Sequence, residues 1–317
     1  MPRDNRIIPL PYADRFAAVA PTLPGHDLPW LRDLREQAIE RVRQLGLPTI
    51  RNERWKYTNL NSLAAVAFEP AEAAASPALP PKVIGGCRVV LVDGLYRREL
   101  STDVLPRGVT LTSLGALLRS NPERVRMLFG EGDTGRDALD ALNIALARDG
   151  FVLELAAGAA IEAPIELLHL TTPGVAARAY HTRNAIIAER GSTATIIETF
   201  RHETASVYWS QPVTAVSVGA DATLRHYKDQ SEGPKAFHTA ATTARIAAGG
   251  CYESFVLSTG AALSRNEIAV VLDGRGASCR LDSGYLARSR QHVDNTTAIT
   301  HAKPQTVSAE VYKGVLD

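Results

Sequence analysis

Cysteine is scarce in this sequence: Cys87, Cys251 and Cys279 are its only three among 317 residues. They are too few and too scattered for a disulfide framework or a CxxC zinc site. Aromatic residues make up 6%, which leaves little material for the stacking platforms of a sugar-binding groove. Neither sign of charge prevails, with Lys+Arg 35 against Asp+Glu 34, so no whole-protein field draws in nucleic acid or an anionic membrane. Common catalytic signatures are missing as well. The sequence has no GxxxxGK[ST] phosphate loop, no HExxH and no GxSxG, and Gly274-Arg275-Gly276 begins a GxG without its third glycine. No run approaches the roughly 18 apolar residues of a membrane span. Met1-Pro2-Arg3-Asp4-Asn5-Arg6 is followed by no apolar leader, which points to a soluble, cytoplasmic protein. Against these absences stand 45% hydrophobic and 22% charged residues, an ordinary globular composition with enough chain for a sizeable core.

The pattern along the chain divides it into residues 1–68, helical; 69–82, a linker; 83–150, mixed α/β; and 151–317, a parallel β-helix core. Within the first part, Trp30, Leu31, Leu34, Ala38, Val42 and Leu45 lay one apolar stripe along a helix. Asp27 is its expected cap, Pro29 lies in its first turn, and Gly46 and Pro48 stop it. Arg32, Arg35, Glu36, Glu40, Arg41 and Arg43 then form a solvated face. The linker holds Pro70, Pro77, Pro80 and Pro81 and reads as extended. Beyond it, Arg88–Val92 with Asp93-Gly94 is a strand and turn. Asn121-Pro122 and Asp137 open two further helices.

From Phe151 onward helical spacing gives way to short runs of Val, Ile, Thr, Tyr and Ala between glycines. Gly191, Gly219, Gly249 and Gly276 recur in similar contexts, with Gly158 before them. A near-fixed period with a small residue at each corner favours a solenoid, because one repeat cannot cover its own apolar face; an antiparallel sandwich is the alternative that short strands and turns also allow. The same reading expects positive φ at Gly219 and a solenoid that stays folded without residues 1–47. Arg183-Asn184 and Arg265-Asn266 are expected to form a polar ladder from coil to coil.

Candidate chemistry is sparse. Asp273, Asp282 and Asp294 are the carboxylates that stacked coils could bring within the roughly 5–10 Å of a glycosidase pair, so a β-helix polysaccharide lyase or hydrolase is one alternative. Cys279 and His301 are the candidate metal ligands, with Cys251 expected one coil away and His292 on the following coil. A plain protein-interaction solenoid is the other alternative.

Several dispersed segments resemble one family, the SufD-type subunit of the SUF (SufBCD) iron–sulfur cluster assembly scaffold. Arg51-Asn52-Glu53-Arg54-Trp55-Lys56-Tyr57-Thr58 is similar to its [KR]xExW[KR]YT signature. Val92-Asp93-Gly94-Leu95-Tyr96 with Leu100-Ser101, and Ala141-Leu142-Asn143 with Asp149-Gly150, follow in the family's order. His301-Ala302-Lys303-Pro304 and Tyr312-Lys313-Gly314-Val315-Leu316-Asp317 resemble its HxxP…YKGVLD stretch. The resemblance implies a right-handed parallel β-helix with a small N-terminal helical region and no enzymatic activity of its own. It implies pairing with a homologous SufB-like subunit, work with a SufC-like ABC-type ATPase, and an iron–sulfur cluster held transiently at the complex interface. A homodimer is one state open to the subunit when it is alone. The family continues past YKGVLD through a Cys-x-His-Gly-type segment and ATPase-docking helices. The expectation is therefore a shortened solenoid, with no cluster ligand carried over by resemblance.

Overall fold

The computed structural model describes residues 8–70, 77–82, 85–102, 104–129, 134–202 and 205–317. Met1–Arg6 and the 71–76 stretch of the expected linker lie outside them. The helices are α1 (Phe16–Val19), α2 (Pro29–Leu45), α3 (Asn61–Ala64), α4 (Leu114–Ser120), α5 (Pro122–Phe129) and α6 (Ala138–Leu146). The first strands are β1 (Glu69–Pro70), β2 (Arg88–Val92), β3 (Leu95–Tyr96), β4 (Val109–Ser113), β5 (Phe151–Leu155) and β6 (Ile165–Thr171). Ten more follow: β7 (Arg178–Ala188), β8 (Thr193–His202), β9 (Tyr208–Val218), β10 (Thr223–Gln230), β11 (Phe237–Ile246), β12 (Cys251–Ser258), β13 (Leu263–Leu272), β14 (Ser278–Ala287), β15 (His292–His301) and β16 (Val307–Leu316).

From β5 onward odd- and even-numbered strands separate into two sheets, with β4 joining the first and β2 and β3 the second: β15-β13-β11-β9-β7-β5-β4 and β16-β14-β12-β10-β8-β6-β2-β3. Each coil contributes one strand to each sheet and pairs in parallel with the coil before it, giving a β-solenoid of about six turns. Alternation sends every second side chain inward, so like residues stack in rows along the axis. Ile186, Val216, Ala244 and Val270 make one such row, and it is buried throughout. Arg225–Glu253 and Arg201–Asp229 span successive coils on the outer surface. Partly exposed pairs of this kind add little stability each.

The coil corner falls on the expected glycine at Gly158, Gly191, Gly249 and Gly276, and two residues past the expected one in the Gly219 coil. Extending the strand register back by two residues aligns Gly158, Gly191, Asp221, Gly249, Gly276 and Gln305. All six have positive φ, from 58° at Asp221 to 72° at Gly276. Gly219 is not among them. Glycine is needed there for another reason: a Cβ would lie 2.8 Å from the Arg190 amide nitrogen and 2.9 Å from the Ala188 oxygen. The two Arg-Asn pairs do not align in one polar ladder, although Asn184 does bond from coil to coil. Asn184 pairs through Thr214 and Thr242 with Ile268, two residues away from Asn266. Asn184 instead donates to Thr214 Oγ1 at 3.3 Å and accepts from the Phe151 amide at 3.2 Å.

Helix α2 starts and stops at Pro29 and Leu45 as expected, and Gly46 has φ 61°. Leu28, not Asp27, occupies the cap position, and it makes no side-chain cap hydrogen bond. Arg35 is not on the solvated face. It is 3% exposed and donates to the carbonyls of Pro24 at 2.9 Å and Ala147 at 3.2 Å, which pins α2 to the end of α6. Asp137 caps α6 by accepting from the Leu139 and Asp140 amides. Every residue of α6 is buried, because it is sandwiched between α2 and the first sheet.

The helical layer covers an outward row of that sheet: Ala179, Trp209, Phe237 and Leu263. These four belong to the same apolar cluster as Leu31, Leu34, Ile39 and Val42 of α2. Phe68 reaches Trp209 and Phe237 with ring centroids 5.6 and 6.1 Å away. Residues 10–47 therefore share one core with the outward face of the solenoid, which counts against the expectation that the coils stand alone. A solenoid's axial stacking covers its inner faces only, and the outward aromatic row needs the helices.

Candidate functional site

The residues singled out from sequence land far apart. Cys251 pairs with Ser278, and Cys279 pairs with Tyr252, so the two thiols are one residue out of register. One residue is half the strand period, which puts them on opposite faces of the sheet. Cys279 points inward and is buried, and burial, with Glu310 and Cys251 nearby, pushes its thiol up to about 11. Cys251 is partly exposed. His292 and His301 stand at the two ends of β15, nine residues apart and so on opposite faces. The exposed His301 ring bonds Thr306 Oγ1 at 2.7 Å and Ser308 Oγ at 3.1 Å. Among the described residues no group of three or more His, Cys, Asp or Glu side chains could hold a metal ion.

The three aspartates do not converge either. Asp273 follows β13 and pairs with Arg245, Asp282 lies on the second sheet and pairs with Arg280, and Asp294 lies on the first sheet and pairs with Arg265. A carboxylate fastened to its own arginine is a structural ion. No shared cleft exists in which two of these could act as acid and base.

Two constellations that sequence reasoning missed are built instead. The first is the seat of the Arg51–Thr58 signature on the outer face of β13 and β15. Trp55, 4% exposed, lies beneath the Arg265 guanidinium, whose carbon is 3.9 Å from the ring centroid. Arg265 Nη2 donates to the Arg54 carbonyl at 2.8 Å. Arg54 pairs with Glu267, and Thr58 bonds Asp294 and, at 3.1 Å, His292 Nε2. The alternation within the signature gave a sign of this, since Trp55 and Thr58 turn inward while Lys56 and Tyr57 stay exposed.

The second lies inside the solenoid. Glu198, 0% exposed, receives His169 Nε2 at 2.9 Å and His226 Nε2 at 3.1 Å, with Lys228 Nζ 3.6 Å away. His226 Nδ1 in turn meets the Tyr252 hydroxyl at 3.1 Å. His169, Glu198, His226 and Tyr252 come from β6, β8, β10 and β12, so this chain of polar groups climbs one coil per residue. Burial alone would raise the Glu198 carboxyl. Lys228 and the two histidines overcome that and hold it well below the usual carboxylate range. Phe200 packs around the chain, stacked on His169 at 4.3 Å between centroids. Each of these residues sits at an inward position otherwise read as core, so periodicity alone could not flag them. The one sequence signal was charge at an apolar position.

The polar groups of both constellations bond largely to one another within the chain. Residues 9–167 match the family model described as SufBD protein N-terminal region, and residues 170–317 match the one described as SUF system FeS cluster assembly, SufBD core domain. An iron-sulfur cluster assembly SufBD family protein of Synechocystis is 24% identical over 297 residues, covering 89% of this chain and 66% of that protein. The iron-sulfur cluster assembly protein SufD of Escherichia coli is 24% identical over 286 residues, covering 89% of this chain and 65% of its own length. The chain thus spans a little less than two thirds of the length of these curated relatives. With a helical layer and a solenoid matched in order from end to end, this chain belongs to the SufBD family of the SUF iron–sulfur cluster assembly system and is of its SufD type.

Proposed function

We propose that the chain is a non-catalytic scaffold subunit for iron–sulfur cluster assembly in the cytoplasm. It pairs with a homologous SufB-like solenoid and works with a SufC-like ABC-type ATPase, and the cluster is a transient cargo at the interface between solenoids. The observation that carries this reading is the family match across both the helical layer and the coils. The chemistry is consistent with it. The charged residues of the interior and of the signature seat bind one another and leave no reactive pair facing a cleft. These 317 residues contain no phosphate loop, so nucleotide hydrolysis falls to the partner. Of the two ligand candidates, His301 is the exposed one and is the side chain we assign to contact with a partner-borne cargo; Cys279 is enclosed.

Co-purification tests the reading. The tagged chain, co-expressed with the SUF proteins of its own source, should retain a homologous solenoid subunit and an ABC ATPase. The complex, prepared without oxygen, should contain iron and acid-labile sulfide. Recovery of the tagged chain alone, free of iron, would overturn it.

A further inference from the structure

Beside the Glu198 chain the two sheets enclose a cavity lined by Lys228, Thr242, Ser254 and Asn266, with Val256 and Ile268 as its apolar wall. About 10 Å³ of it is open to the centre of a water molecule. That is near the roughly 10–15 Å³ that one water requires. Lys228, Thr242, Ser254 and Asn266 are each less than a tenth exposed. Their hydrogen-bonding capacity is not used up. Asn266 Nδ2 makes two long bonds, at 3.4 Å, to Ser258 and Ser264, and its Oδ1 has no protein partner. Lys228 carries three N–H donors, and its ion partner Glu198 stands off at 3.6 Å. A buried amide oxygen without a donor costs about 1–3 kcal/mol. A site with both an unpaired acceptor and surplus donors suits a neutral molecule that donates and accepts.

We propose that this cavity binds one ordered water molecule as a fixed part of the solenoid. The water accepts from Lys228 Nζ, donates to Asn266 Oδ1 and is completed by the hydroxyls of Thr242 and Ser254. Thr242 and Asn266 belong to the first sheet, Lys228 and Ser254 to the second. The water therefore joins the sheets across the interior at the point where apolar packing gives way to charge. An anion would place a second negative charge beside Glu198, and a cation would face Lys228, so neither fits. Exchange of the Asn266 amide oxygen and nitrogen would leave a donor in place of an acceptor, and the same water would satisfy it.

A crystal structure of the chain at a resolution that shows ordered solvent tests this directly. The expected result is a density peak within hydrogen-bonding distance of Lys228 Nζ, Asn266 and at least one of the two hydroxyls. Nuclear Overhauser transfer from water to the Thr242 methyl group gives a second readout in solution. Asn266→Leu, which fills the cavity with carbon, should abolish both signals; if that variant does not fold, Ser254→Ala should weaken the transfer. A clear map with an empty cavity, a direct Lys228–Asn266 contact that closes it, or absence of transfer in the unaltered chain would overturn the proposal.

Discussion

The guanidinium of Arg265 lies 3.9 Å from the centre of the Trp55 ring and is almost fully buried against it. This contact fastens the N-terminal layer to β13, the fourth strand from the far end of the chain. Stacked coils otherwise touch only their neighbours. A cation over a desolvated indole contributes about 2 kcal/mol. The pair is expected to show a coupling of about 1–2 kcal/mol in a cycle of Trp55→Leu, Arg265→Met and the double variant, measured by denaturant unfolding. Strictly additive effects would show that the two merely touch.

Glu198→Gln keeps the shape of the side chain and removes its charge. Lys228 is then left enclosed without a counter-ion, and a loss of about 3–5 kcal/mol is expected. Adding Lys228→Met to that variant should recover part of the loss, because the uncompensated charge goes with it. A double variant less stable than Glu198→Gln alone would contradict this account of the interior.

Stability should depend on pH through His181. Burial lowers its pKa from 6.5 to about 4, opposed in part by its bond to Gln211. Below pH 6.5 the unfolded chain takes up a proton that the folded chain refuses until about pH 4. Stability therefore falls as pH drops through that window, by roughly 3 kcal/mol in all, and this contribution levels off below it. His181 also stacks on Tyr12, so the loss is felt at the seam between the helical layer and the solenoid. Unfolding followed from pH 7 to 4 should show a shallower decline in His181→Gln; identical slopes would rule this histidine out.

The cysteines should behave differently from one another. In the native state iodoacetamide should label Cys251 first, with Cys87 and Cys279 protected by burial. Oxidation should yield no Cys251–Cys279 bridge, because the side chains leave opposite faces of one sheet. Peptide mass spectrometry of the labelled or oxidised chain checks both statements.

Gly191 and Gly219 separate two reasons for glycine. At Gly191, φ is 67° and a Cβ would meet open space, so Gly191→Ala should cost about 1–2 kcal/mol of backbone strain. At Gly219 the obstacle is the backbone of the preceding coil, under 3 Å from the added carbon. Gly219→Ala should therefore lower the melting temperature more than Gly191→Ala does, and the reverse order would refute the assignment.

Much of this was legible in the residues. Period-2 runs with recurring small corners predicted the solenoid, since both follow from local backbone geometry and from the need to stack. The α2 boundaries at Pro29 and Gly46 were equally local, and the dispersed signatures pointed to the family. What failed depended on register. The shift of the corner from Gly219 to Asp221 is two residues, and the offset between Cys251 and Cys279 is one, yet one residue turns a side chain to the other face. Arg35 was misread because its partners, Pro24 and Ala147, are remote carbonyls that no helical pattern announces.

Composition and periodicity by themselves determined the class of structure: a helical layer followed by stacked β-coils, with no phosphate loop and no cysteine framework. Only the tertiary structure decided where the charge goes. Glu198, Lys228 and the two histidines occupy positions whose spacing reads as core, and they are stable there because each coil places its polar group one step above the last. That alignment is a property of the stack, set by the lengths of all the intervening turns, and no single segment contains it.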